Sequence, residues 1–205
     1  MATICPTVTA YEPHGYRSQI ELLEPFATRI HIDLMDGQFT PNISPTLDQI
    51  WWPDKITADL HLMFQKPMDQ LDQLLKLKPN LVVFHYEADV VHQHMAVRLR
   101  EAGIKAGLAI LQQTSIESVE QILGGFDHVL VFSGNLGEHG GVADLALIDK
   151  VRVLRVAFPD IEISWDGGIN DQNASQMIEA GVDVLNVGGF ISNAADPEAA
   201  YQSLF

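Results

Sequence analysis

Eight short apolar runs, each followed by a stretch of helical periodicity, constrain this 205-residue chain more than any other feature. The runs lie near Thr3 to Cys5, Arg29 to Asp33, Thr57 to His61, Leu81 to His85, Lys105 to Ile110, His128 to Phe132, Ile161 to Trp165 and Val184 to Val187. Each has the length of a strand. Helix-like patterns fall at Tyr16 to Leu23, Leu47 to Trp52, Met68 to Lys76, Val90 to Ala102, Ile116 to Leu123, Leu145 to Ala157, Asn173 to Ala180 and Pro197 to Leu204. Such alternation predicts a parallel sheet with right-handed crossovers. Eight repeats favour closure into a single (β/α)8 TIM barrel over an open doubly wound sheet, although the pattern alone leaves the open sheet possible.

The length sits near the lower limit for such a barrel, so residues 1–205 are read as one α/β barrel domain. No loop provides Gly-x-Gly-x-x-Gly ahead of a helix and a suitably placed acidic residue, which disfavours a nicotinamide enzyme. The single cysteine, Cys5, leaves no intrachain disulfide and is expected to pack as a small apolar residue in a reducing compartment. No apolar stretch approaches the roughly 18 residues that span a bilayer, and the N-terminus lacks a basic region followed by an apolar run. A cytoplasmic protein is expected. A formal net charge of -15, from 27 acidic against 12 basic residues, argues against nucleic acid and anionic membranes as partners. It also means that a phosphorylated ligand would need local capture by backbone amides and helix N-termini.

Chemistry concentrates where the strands finish. In His31-Ile32-Asp33-Leu34-Met35-Asp36-Gly37, strand alternation points His31 and Asp33 the same way, just before a glycine turn. A further run ends in His61-Leu62-Met63, and another leads into Asp166-Gly167-Gly168. Two imidazoles and two carboxylates suit zinc, manganese, cobalt or iron better than calcium or magnesium. Taken alone, His31 and Asp33 fit a buried histidine hydrogen-bonded to a neighbouring carboxylate better than a metal site.

The order of these motifs resembles the ribulose-phosphate 3-epimerase family. That family carries His-x-Asp-x-Met-Asp-Gly followed by Phe-x-Pro-Asn, here His31 to Gly37 and Phe39-Thr40-Pro41-Asn42. His61-Leu62-Met63, His85-Tyr86-Glu87-Ala88, Gly140-Gly141, Asp166-Gly167-Gly168-Ile169 and Gly188-Gly189 follow in the family's order. The resemblance extends from about Pro6 to Gly189.

It implies an isomerase that binds one divalent ion (Zn, Fe, Mn or Co) through His31, Asp33, His61 and Asp166. Asp33 and Asp166 would double as the two acid/base catalysts that invert C3 of a ketose phosphate through an enediolate. Thr7, Met35, Met63, Gly141, Gly167, Gly168, Gly188 and Gly189 would bind substrate, the methionines with soft sulfur and the glycines with backbone open to a phosphate. Ordinary packing of the methionines and tight βα turns at the glycines are the plainer readings. The resemblance also implies a homo-oligomer, with Trp51 and Trp52 either at a subunit contact or as a lid over the core. His85 and Glu87, two apart on strand four, either face the pocket or form a strand-end hydrogen bond, and His92 and His94 are expected to lie on an exposed helix face.

Departures gather at the rim. The family's loop after strand six reads Met-Ser-Val-Asn-Pro-Gly-Phe-Gly-Gly-Gln, whereas Phe132 to Val142 is one residue longer and lacks the proline, phenylalanine and glutamine. Glu138 would bring a carboxylate near the expected phosphate unless it turns outward or His139 offsets it. Leu111-Gln112 replaces an Asn-Pro, and Pro6-Thr7 a Pro-Ser. An intact ligand set with an altered rim keeps a ketohexose phosphate or an unphosphorylated ketose open as substrate beside D-ribulose 5-phosphate. A sugar-phosphate-binding protein without turnover is the reading from another class.

Overall fold

A computed structural model describes residues 2–138 and 140–205; His139 lies outside the described residues. Eight parallel strands close into a barrel in sequence order: β1 (Thr3–Thr9), β2 (Arg29–Met35), β3 (Thr57–Met63), β4 (Leu81–His85), β5 (Lys105–Ile110), β6 (His128–Phe132), β7 (Glu162–Asp166) and β8 (Val184–Val187), with β8 pairing β1. The expected fold class is the observed one.

Helices α1 (Pro13–Leu23), α2 (Leu71–Leu77), α3 (His92–Glu101), α4 (Ile116–Leu123), α5 (Ile148–Ala157), α6 (Ala174–Ala180), α7 (Gly189–Ser192) and α8 (Pro197–Gln202) surround it. None of them is long and apolar enough to cross a membrane. The side chains of Ser115 and Asp196 cap α4 and α8, accepting from the backbone N–H of Ser118 and Ala199.

The β2–β3 connection corrects one expectation. Leu47 to Trp52 forms a turn and no helix. Pro45 and Pro53 bracket too few residues to nucleate one, and Pro53 drives Trp52 from the helical region. Local bonds close the turn instead: Gln49 N–H donates to the Thr46 carbonyl at 2.9 Å, and Thr46 N–H to Gln49 Oε1 at 3.0 Å. Leu47 and Ile50 are still buried, and Tyr16 Oη donates to the Trp51 carbonyl at 2.6 Å, so the segment covers the core as a helix would. Trp52 packs partly buried against the core, while Trp51 is 39% exposed.

Strand alternation sorts the core into two shells. Ile30, Ile32, Leu34, Leu60, Leu62, Val82 and Phe84 pack outward against the helices, and the residues between them point into the barrel. On β4 to β6 the inward residues Leu81, Val83, Ala109, Leu130 and Phe132 make a second, apolar cluster. Gly107 belongs to this lining because a Cβ there would stand 2.8 Å from Val83 Cγ2. On the remaining strands most of the inward residues are polar. At the N-terminal end, Arg29 donates from Nε to Asp59 Oδ2 at 2.6 Å and from both terminal nitrogens to the Glu162 carboxylate at 3.0 and 2.9 Å. His128 adjoins Glu162 Oε2 at 2.8 Å and Ser164 Oγ at 2.7 Å. At the C-terminal end lies the candidate site.

Candidate metal centre and substrate cavity

Register assembles the site. Parallel pairing sets Thr9 beside Asp33, Asp33 beside His61, Met35 beside Met63, and Asp166 beside Phe132 and Asn186. One donor atom from each of His31, Asp33, His61 and Asp166 lies within 4.8 Å of the other three, and all four residues are buried. The four candidate ligands named from sequence are therefore brought together.

Each is held from behind or beside. Thr9 Oγ1 donates to Asp33 Oδ2 at 2.7 Å, fixing that carboxylate. Asp33 Oδ1 stands 2.9 Å from His61 Nδ1 and 3.3 Å from His31 Nε2. Asp166 Oδ2 stands 3.7 Å from His31 Nε2 and 3.8 Å from His61 Nδ1. His31 Nε2 is buried yet makes no hydrogen bond. A buried ring nitrogen without a partner, facing two carboxylates and a second imidazole, fits a divalent cation that takes mixed nitrogen and oxygen ligands.

Electrostatics separate the two carboxylates. Burial works to raise Asp33, but contact with His31 and His61 and their charge outweigh it and hold the acid well below the usual carboxylate range. Burial pushes Asp166 up to about 7, and the neighbouring charge of Asp33 adds to the shift. Burial lowers His61 to about 4 against the pull of its bond to Asp33. For His31 burial acts downward too, but contact with Asp33 and the charges of both aspartates prevail and raise it.

Over this cluster opens a cavity of about 320 Å³, at the small end for ligand pockets. Asp33 and Asp166 line it, as do Thr7, Met63, Gly141, Gly167, Gly168, Gly188 and Gly189. Thr7 Oγ1 is buried without a partner. Met35 is also buried but is not among the lining residues, so the shared strand face does not bring it to the cavity wall. Gly167 and Gly168 have φ of +110° and +71°, and a Cβ on them would stand 2.3 Å from Gly134 N and 2.0 Å from Ala143 N. Only glycine lets the loop after β6 lie across the end of β7.

That loop is seated on the β2–β3 and β1–α1 connections: the Gly137 carbonyl accepts from Asn42 Nδ2 at 2.8 Å and from Tyr11 Oη at 3.3 Å. Glu138 lines the cavity while exposed, and Asn135 Nδ2 donates to its Oε2 at 3.0 Å. No lysine or arginine is among the described lining residues.

Sequence reasoning missed Thr9, Asn186 and α7. Thr9 sits two residues beyond Thr7 on one strand face, a signal that Pro6 masked by suggesting an earlier strand end. His85, for which the sequence leaves both facing the pocket and a strand-end bond open, stands 2.9 Å from His61, Nε2 to Nε2. His94 is exposed as expected, whereas His92 is partly buried and stands 2.8 Å from the Tyr86 carbonyl through Nε2.

Comparison with known proteins identifies the family. The model of the ribulose-phosphate 3 epimerase family matches residues 3–192. Ribulose-phosphate 3-epimerase of Aquifex aeolicus is 31% identical, with 100% of this chain and 96% of that protein covered. The Mycobacterium tuberculosis protein of the same name is 34% identical over 85% of this chain and 80% of its own length. Among solved structures, 3-hexulose-6-phosphate synthase from Salmonella typhimurium superposes with a TM-score of 0.72 at 16% identity, covering 98% of this chain and 96% of that one, which bears on the fold alone. With a family match running through all eight strands and relatives above 30% identity, the chain belongs to the ribulose-phosphate 3-epimerase family of isomerases.

Proposed function

We propose that this isomerase is a metal-dependent epimerase that inverts C3 of a ketose phosphate, converting D-ribulose 5-phosphate to D-xylulose 5-phosphate by two-base proton transfer through an enediolate. The observation that carries the reading is the facing pair Asp33 and Asp166 at the mouth, with the unpartnered His31 Nε2 between them. A divalent ion (Zn, Fe, Mn or Co) held by His31, Asp33, His61 and Asp166 would polarise the C2 carbonyl and stabilise the charge left by proton loss.

The chain's own residues handle the proton. Asp33, fixed by Thr9 and kept deprotonated, takes it from C3 on one face. Asp166, across the cavity mouth from Asp33, returns one to the opposite face. Thr7 offers its unpartnered hydroxyl to a substrate oxygen, and Met63 and Phe132 exclude water beside the reacting carbon. The phosphate lies against the backbone amides at Gly167, Gly168, Gly188 and Gly189, since the described lining offers no cationic side chain. Glu138 at the rim favours a second reading, in which a ketohexose phosphate or a free ketose is the substrate.

The test is epimerisation of D-ribulose 5-phosphate by metal-reconstituted protein in deuterium oxide. Turnover with one deuterium at C3 is expected. A metal-loaded protein that labels only another ketose moves the reading to that sugar, and one that labels none leaves a sugar-phosphate-binding protein.

A further inference from the structure

His85 lies outside the four-residue cluster but against it. We propose that His85 and Glu87 are positioning residues that fix the tautomer and orientation of His61 and so set the affinity of the site for its ion. The inference rests on the metal-centre reading above.

His61 turns Nδ1 to Asp33 and Asp166, and Nε2 to His85 Nε2 at 2.9 Å. An imidazole that gives its Nδ1 lone pair to an ion keeps its hydrogen on Nε2. Two nitrogens in contact share one hydrogen, so His85 accepts through a bare Nε2 and carries its own hydrogen on Nδ1. That Nδ1 is buried, has no hydrogen bond, and stands 3.5 Å from Glu87 Oε2, which is equally buried and unpartnered. One tautomer assignment gives both orphaned atoms a partner.

Glu87 is itself anchored. Leu111 N–H donates to Oε1 at 3.2 Å and the Thr114 hydroxyl donates to the same oxygen, leaving Oε2 for His85. Lys150 Nζ braces this loop by donating to the carbonyls of Leu111, Gln112 and Thr114. Phe39 and Phe132 pack on the His85 ring, 4.8 and 6.2 Å between centroids, and His85 is fully buried. Backing of a metal-bound imidazole by an anchored carboxylate orients the ring and strengthens it as a donor.

Co(II) titration followed by visible absorption tests the assignment. His85→Leu should weaken Co(II) binding about 10- to 100-fold, while His85→Gln, whose Oε1 reaches the place of Nε2, should stay within about threefold of the native chain. Native affinity in His85→Leu, or equal losses in both variants, would overturn it. Imidazole 15N–1H spectra of the unsubstituted Zn(II)-loaded protein decide the matter whether or not a variant folds: hydrogens on His61 Nε2 and His85 Nδ1 support the assignment, and one on His85 Nε2 overturns it. If the native chain binds no Co(II), the metal centre falls and this inference with it. Binding that survives His85→Leu removes only the role of His85.

Discussion

Asp33 and Asp166 present carboxylate oxygens to the same few ångströms of space yet hold protons in opposite ways. Thr9 donates to Asp33 and two imidazoles stand beside it, whereas Asp166 is buried beside a charge of its own sign. Two identical groups are thereby given unequal proton affinities by their protein surroundings alone.

Loss of either carboxylate should stop the proton exchange. Asp33→Asn and Asp166→Asn are each expected to lower deuterium incorporation at C3 by at least about 10²- to 10⁴-fold at saturating metal, with the circular dichroism of the barrel unchanged. Exchange at the native rate in either variant would remove that residue from the acid/base pair.

The inequality also gives stability a pH slope once the ion is stripped by a chelator. Asp166 titrates near 7 when folded and near the ordinary carboxylate value when unfolded, so between about pH 4 and 7 the folded chain holds a proton that the unfolded chain has released. The Asp166 contribution to stability should therefore fall as pH rises through that window, by at most about 4 kcal/mol, and level off above it, while His61, lowered to about 4, contributes in the opposite sense up to its ordinary value. Asp33 acts oppositely, its contribution being lost only as pH falls below about 4. The urea midpoint of the chelator-treated native chain should fall relative to that of Asp166→Asn as pH rises from 5 to 8, which isolates the Asp166 contribution from that of the histidines. Parallel profiles would show that Asp166 is not the group responsible.

The other end of the barrel should separate stability from catalysis. Arg29→Met would strand the Asp59 and Glu162 carboxylates, Asp59 being only 2% exposed, at a cost of about 3–5 kcal/mol. Because active sites of this fold lie at the opposite face, kcat per folded molecule should stay within about twofold. Denaturation curves and active-site-normalised kcat check the two halves; a lost kcat with unchanged stability would contradict this division.

The barrel was legible in the sequence because its helix-facing shell is apolar, and those runs mark every strand. The inner shell was less so. The strands β1, β2 and β3 run on to Thr9, Met35 and Met63, past the Cys5, Asp33 and His61 at which the apolar runs end. Polar inward residues break the run where the active mouth begins, and Pro6 reads as a stop although β1 continues through it. The ligand set emerged from motif order, and the register then explains why it converges. The contact of His85 with His61 was hidden, because residues 24 apart meet only through adjacent strands.

The altered loop after β6 should tune recognition through charge alone. Glu138 is exposed, lines the cavity and is tethered by Asn135, so its carboxylate repels a bound phosphate across partly screened space. Glu138→Gln should lower KM for the phosphorylated sugar by about two- to fivefold at low ionic strength, with kcat unchanged, and the gain should shrink as salt is added. KM for an unphosphorylated ketose should not move, since it lacks the group that feels the charge. Measuring both sugars at two salt concentrations isolates the effect; an unchanged KM for the phosphorylated sugar at low salt would mean that the Glu138 carboxylate points away from the phosphate.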